Sequence, residues 1–153
     1  MRLTECIRPE LVLADVETGT LEELITSFAG MICQATPSLE CDALFTKLLQ
    51  REKEMSTGME NRVAIPHAIV EGIDEPVCLV ARLAEPLSIE TLDGQPIRIM
   101  FVLVSPPQSI SVHIRTLARI ARLCSAEGFV DRMLQADAHD LFETIREEDS
   151  RHV

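Results

Sequence analysis

The amino-acid sequence predicts an α+β protein in which two helices lead into a block of strands and further helices follow. Three observations carry this expectation. Apolar residues recur at helical spacing in two early segments, three later stretches are short and rich in Val and Ile between Gly, Pro and Asp, and helical spacing returns after Pro106-Pro107. A chain of 153 residues is expected to form one domain, spanning 1–153, that buries roughly 70% of the surface its unfolded state exposes.

From Thr20 to Gln34, residues Leu21, Leu24, Ile25, Phe28 and Ile32 define one helical face, with Thr18 or Thr20 as the cap. Leu39 to Glu54 reads as the second helix. There Leu44, Leu48 and Arg51 fall at i, i+4 and i+7, so Arg51 shares a face with two leucines and can turn its guanidinium inward. Arg62 to Ile69, Val77 to Leu83 and Ile97 to Val104 are expected as strands, and Asp93-Gly94-Gln95 marks the turn before the last. Helices are then expected over Ser111 to Cys124, Glu127 to Gln135 and Ala138 to Glu148. No internal repeat is visible.

Composition excludes several functions. Hydrophobic residues make up 46% and charged residues 25%, as in a soluble folded protein. The longest uncharged apolar run, Ile99 to Val104, is too short to span a bilayer, and Met1 to Glu5 lacks a signal-peptide core. A cytoplasmic protein without membrane insertion is therefore expected. Cys6, Cys33, Cys41, Cys78 and Cys124 are odd in number, form no CxxC pair and mostly have apolar neighbours, which reads as reduced core thiols. The net charge of −11 argues against nucleic acid as a partner, because phosphate contacts need surplus Lys and Arg. Without Trp or Tyr, stacking platforms for bases or sugar rings are also largely missing.

Two histidines stand in positions suited to chemistry. His67 ends the apolar stretch Val63-Ala64-Ile65-Pro66-His67, which follows the polar turn Ser56-Thr57-Gly58. An imidazole at the exit of a buried strand can carry a phosphoryl group or act as a general base. His113 recurs with Leu117, Ile120 and Cys124 at spacings of four, three and four, on the buried stripe and in the first turn of its helix. Free amides and the dipole at that helix end favour a neutral imidazole and attract anions. Arg115, Arg119 and Arg122 lie about 200° round the same helix and are expected on the far face. His139 and His152 are assigned no role.

Leu48-Leu49-Gln50-Arg51-Glu52-Lys53, then Ser56-Thr57-Gly58, then Ala64-Ile65-Pro66-His67-Ala68, and later His113-Ile114-Arg115-Thr116-Leu117-Ala118 together resemble a known family. It is the fructose/mannitol/nitrogen type of enzyme IIA from the bacterial phosphoenolpyruvate-dependent phosphotransferase system. The likeness runs from the first helix to the last, in three separated elements matched in order. It implies a three-layer α/β/α fold, a central mixed sheet with helices on both faces. It further implies a phosphohistidine carrier in which HPr, or a nitrogen-branch paralogue, passes a phosphoryl group to His67, with His113 beside it and Arg51 organising the site. Phosphoryl transfer between imidazoles asks for alignment and charge stabilisation, for which Arg51 offers a permanent cation, Thr57 a hydroxyl donor and His113 an N–H donor. No metal or cofactor is required. The acceptor or regulated target is expected to be a separate protein, either a IIB/IIC permease or a regulatory partner, and a free-standing IIA of this size looks more like the nitrogen-regulatory branch.

The chain departs from the family pattern in two places. Relatives often carry more glycine around position 57, where this chain continues into Glu60-Asn61-Arg62, and a basic residue two positions after the active histidine, where this chain has Ile69. The alternative reading is a binding module of the same fold whose histidine is no longer phosphorylated, and Ile69 is the residue that favours it. Outside the family context, His67 reads as a turn histidine, His113 as a core histidine bonded to a carbonyl, Arg51 as a helix C-terminal charge and Thr57 as ordinary turn chemistry. A metal hydrolase lacks any HExxH or clustered Asp/His spacing, and a serine hydrolase lacks a GxSxG elbow.

Overall fold

In the computed structural model, which describes residues 2–152, the strand Ile97–Ser105 (β5) organises the fold. Its side chains alternate between two cores. Met100, Val102 and Val104 point into one, and Ile99, Phe101 and Leu103 into the other, all fully buried. A period of two with apolar residues on both faces is what a strand covered on both sides requires.

Around β5 the sheet is mixed. The antiparallel neighbour Val77–Leu87 (β4) lies on one side and itself pairs in parallel with Ile7–Val16 (β1). On the other side, Val63–Ala64 (β2) and His67–Ile69 (β3) pair in parallel with β5 in succession. The single strand expected over residues 62–69 is thus broken at Ile65-Pro66, where the proline removes a ladder donor.

Helices cover both faces, as the resemblance implies. Leu21–Ala35 (α1) and Cys41–Glu54 (α2) bury Leu24, Ile25, Phe28, Ile32, Leu44 and Leu48 against one face of the sheet. Thr20 caps α1 in a reciprocal capping box with Glu23, its hydroxyl accepting from the Glu23 amide at 3.1 Å. On the other face lie Ile110–Ser125 (α3), Phe129–Gln135 (α4) and Leu141–Arg151 (α5), which contribute Ile120, Leu123, Phe129, Met133, Leu141 and Ile145. Among the described residues no helix is long and apolar enough to cross a membrane.

Three further readings of the sequence change. Strand β1 lies in a segment to which periodicity assigned no element, because Pro9 and Glu10 interrupt the pattern. Proline is tolerated there because β1 is an edge strand. Cys33 and Cys41 form a disulfide with a Cα–Cα distance of 5.8 Å, joining the end of α1 to the start of α2, whereas Cys6, Cys78 and Cys124 are free thiols. The pairing follows from how the two helices meet, which the spacing of eight residues does not reveal. Arg119, expected on an outward face, is buried beneath α5, where its Nε donates to Asp149 Oδ1 at 2.7 Å. Asp149 also accepts from the amides of Leu3 and Thr4, so the two ends of the chain are tied together.

The loop between α2 and β2 carries the expected difference in glycine content in an unexpected way. Asn61 and Arg62 both adopt positive φ, at 62° and 67°, a region that favours glycine. Asn61 is held by its amide donating to Asp93 and its side-chain amide to Cys124 O, and Arg62 pairs with Asp131. The tertiary contacts supply what glycine would give without cost.

Candidate functional site

His67 opens β3 directly after Pro66, and Leu103 N–H of β5 donates to Pro66 O at 2.9 Å, fixing the entry to the strand. The His67 Nδ1 lies 2.8 Å from Ile65 O. A carbonyl only accepts, so the neutral ring carries its proton on Nδ1 and leaves the Nε2 lone pair free. Burial lowers the His67 pKa, as does the Arg51 charge, against opposing pulls from Ile65 O and the Glu52 carboxylate. His67 is neutral and nucleophilic at neutral pH as a result.

His113 meets it from the other side. It lies in the first turn of α3, 6% exposed, with its ring centroid 5.5 Å from that of His67 and the planes tilted by 56°. Its Nδ1 is 2.6 Å from Ser105 Oγ at the end of β5. Burial, and then the nearby His67, push the His113 pKa down to about 4. A hydroxyl can donate or accept, and donation by Ser105 to Nδ1 puts the ring proton on Nε2.

Arg51 and Thr57 are both engaged within the α2 terminus. Arg51 Nη1 donates to Met55 O at 2.8 Å, closing the last turn of its own helix while staying near enough for its charge to act on His67. Thr57 is buried, and its hydroxyl donates to Glu52 Oε1 at 2.6 Å while its amide donates to Glu52 Oε2 at 2.8 Å. The Thr57 hydroxyl proton is therefore committed to Glu52. Gly58 follows because nothing larger fits: a Cβ there would stand 2.2 Å from Glu90 O and 2.8 Å from Thr91 Cγ2.

The structure thus brings His67 and His113 together, with Arg51 at the edge. Sequence reasoning missed two contributors, Ser105 and Glu52. Ser105 had a signal, a lone hydroxyl ending the apolar run Ile99 to Val104. Glu52 had one too, a carboxylate five residues ahead of Thr57 in the Ser-Thr-Gly turn. Met55, Ile110 and Ile114 are large apolar side chains exposed by 70%, 54% and 60%. They belong to the segments that hold Arg51 and His113.

Residues 5–148 match the family described as phosphoenolpyruvate-dependent sugar phosphotransferase system, EIIA 2, and the chain belongs to that family. It is 31% identical over 146 residues to a nitrogen regulatory protein of Bradyrhizobium diazoefficiens, covering 95% of each chain. Its fold is similar to that of nitrogen regulatory protein IIA-Ntr from Neisseria meningitidis, with a TM-score of 0.84, 25% identity, and coverage of 92% and 96% of the two chains. It is also similar to enzyme IIAMtl in its complex with phosphorylated enzyme IIBMtl from Escherichia coli, with a TM-score of 0.74 at 17% identity, covering 92% of this chain and 99% of that one. Members of this family are phosphotransferase components.

Proposed function

We propose that this protein is a phosphohistidine carrier whose acceptor atom is His67 Nε2. The observation that carries this reading is the Nδ1 contact with Ile65 O, which leaves Nε2 as the free lone pair, with a second neutral imidazole 5.5 Å away between centroids. In the step proposed, Nε2 attacks the phosphorus of a phosphohistidine on the donor, HPr or its nitrogen-branch paralogue. The new N–P bond forms as the donor N–P bond breaks, and its electron pair returns to the donor imidazole. His113 Nε2–H and Arg51 face the charge on the equatorial oxygens. Thr57 acts by holding Glu52, and donates to the phosphoryl group only if that bond is exchanged.

The exposed Met55, Ile110 and Ile114 favour a protein donor, since apolar side chains on the segments that hold Arg51 and His113 suit a docked surface that excludes water from a labile P–N bond. The likeness to proteins named nitrogen regulatory supports a regulatory role, in which the phosphoryl group on His67 acts as a signal to a separate target or passes to a IIB/IIC permease.

The test is incubation with phosphoenolpyruvate, enzyme I and HPr or its paralogue, followed by intact mass measurement. One acid-labile phosphoryl group on the wild type and none on His67→Ala is expected. Absence of an adduct on the wild type points instead to a binding module of the same fold, and an adduct on His67→Ala removes His67 from the role.

A further inference from the structure

The chain has only two lysines, Lys47 and Lys53, both in α2. Among the described residues, Arg62, Arg82, Arg119, Arg132, Arg146 and Arg151 are paired with carboxylates. Lys47 and Arg51 instead meet backbone oxygens: Lys47 Nζ donates to Ile69 O at 3.2 Å, and Arg51 Nη1 to Met55 O. The two are four residues apart, so they occupy one face of α2, one turn from each other. Lys53, two residues beyond Arg51, is turned about 200° away.

The partner of Lys47 is at the open edge of the sheet. Pro66 O and Val70 N–H bond to β5, so alternation directs the main chain of Ile69 away from β5. The Lys47 ammonium therefore stands on the free edge of the strand that begins with His67. A surface carbonyl is a weak anchor for an exposed ammonium on a flexible stem, and an anion nearby would draw it away.

The site needs such a charge. Arg51 and Glu52 act on His67 with opposite signs, so the permanent cation of the site is locally offset by a carboxylate. A phosphoryl group adds up to two negative charges to a protein whose net charge is already −11. We propose that Lys47 is the second cation of the phosphoryl site, exchanging Ile69 O for phosphoryl oxygens when His67 carries its adduct. This rests on the reading of His67 as acceptor. It also answers the absence of a cation at position 69, since the charge arrives at that carbonyl from the neighbouring helix.

The experiment compares wild type, Lys47→Met, Lys47→Arg and the double variant Lys47→Met/Ile69→Lys, with phosphorylated HPr or its paralogue as donor. Position 69 shares a face of the strand with His67, so Ile69→Lys restores an ammonium by a different route. Time courses by intact mass give the second-order transfer rate and the lifetime of the adduct at low and high salt, with thermal unfolding as the control. Lys47→Met is expected to lower the transfer rate about tenfold and to flatten its salt dependence, at unchanged unfolding temperature. Lys47→Arg and the double variant are expected to return to within about threefold of wild type. An adduct whose rate and lifetime ignore Lys47→Met, or a double variant no faster than Lys47→Met, overturns this proposal alone. No adduct on the wild type overturns it together with the acceptor reading.

Discussion

The imidazole of His113 and the hydroxyl of Ser105 lie 2.6 Å apart, buried where the end of β5 meets the first turn of α3. The contact uses Nδ1, so whatever His113 does toward His67 is left to Nε2. With Ser105 as donor, Nε2 bears a proton and becomes a hydrogen-bond donor to a phosphoryl oxygen. Ser105→Ala is expected to slow phosphoryl transfer about tenfold without preventing it, because the ring loses the partner that selects its tautomer. Nitrogen-15 chemical shifts of the His113 ring would report the tautomer directly. Wild-type rates together with an unchanged tautomer would detach Ser105 from the site.

Acid should act through the same ring. His113 titrates at about 4 in the folded protein against an ordinary value of 6.5, so as pH falls the unfolded chain takes up the proton first. Stability from this group is complete above about 6.5 and is lost as pH falls toward about 4, a loss bounded at on the order of 3 kcal/mol. His67 is shifted in the same direction and adds to the effect. Titration of the His113 ring protons by NMR should place its midpoint near 4, and a midpoint at 6.5 or higher would contradict the burial described.

Gly58 is set by space. Gly58→Ala drives a methyl group into Glu90 O and Thr91 Cγ2, at a cost of about 1–3 kcal/mol. The same shift would disturb the Ser56 hydroxyl, which donates to Glu90 O at 2.5 Å and accepts from the Gly58 amide. Urea unfolding should show a lower midpoint with little change in slope. An unchanged midpoint would mean that the 90–91 segment yields freely.

The buried pair Arg119 and Asp149 ties α3, α5 and the amino-terminal turn Leu3–Glu5 together. Burial raises the Asp149 pKa, but the amides of Thr4 and Leu3 and the Arg119 guanidinium more than offset it and hold the carboxyl below its usual range. Arg119→Met leaves that carboxylate buried without its cation and should cost roughly 3–5 kcal/mol. Arg146→Met, which removes an exposed ion pair with Glu143, is the control and should change the unfolding midpoint little. Equal effects of the two would show that burial adds nothing to the Arg119 pair.

Periodicity carried the helices and the two long central strands. The 3.6-residue repeat of α1 and α2 and the alternation of β5 are local properties, written into single segments by the need to bury one stripe or both faces. The reading of His113 as an inward-facing residue of a first helical turn follows from the same repeat. Where the pattern was interrupted, at Pro9 in β1 and Pro66 between β2 and β3, pairing with a neighbouring strand decided the outcome.

By itself the sequence determined the class of fold and the family, and it singled out the two histidines as candidates, because each rests on spacing within a segment or on short motifs in order. Only the tertiary structure decided the rest. It joined Cys33 to Cys41, buried Arg119, turned the Thr57 hydroxyl to Glu52, set Ser105 on His113 and laid Lys47 on the carbonyl of Ile69. Apart from the Thr57 contact, which lies within the α2 terminus, each of these depends on the distance and direction between two elements. No repeat within one segment encodes them, because they are fixed by how the helices pack across the sheet.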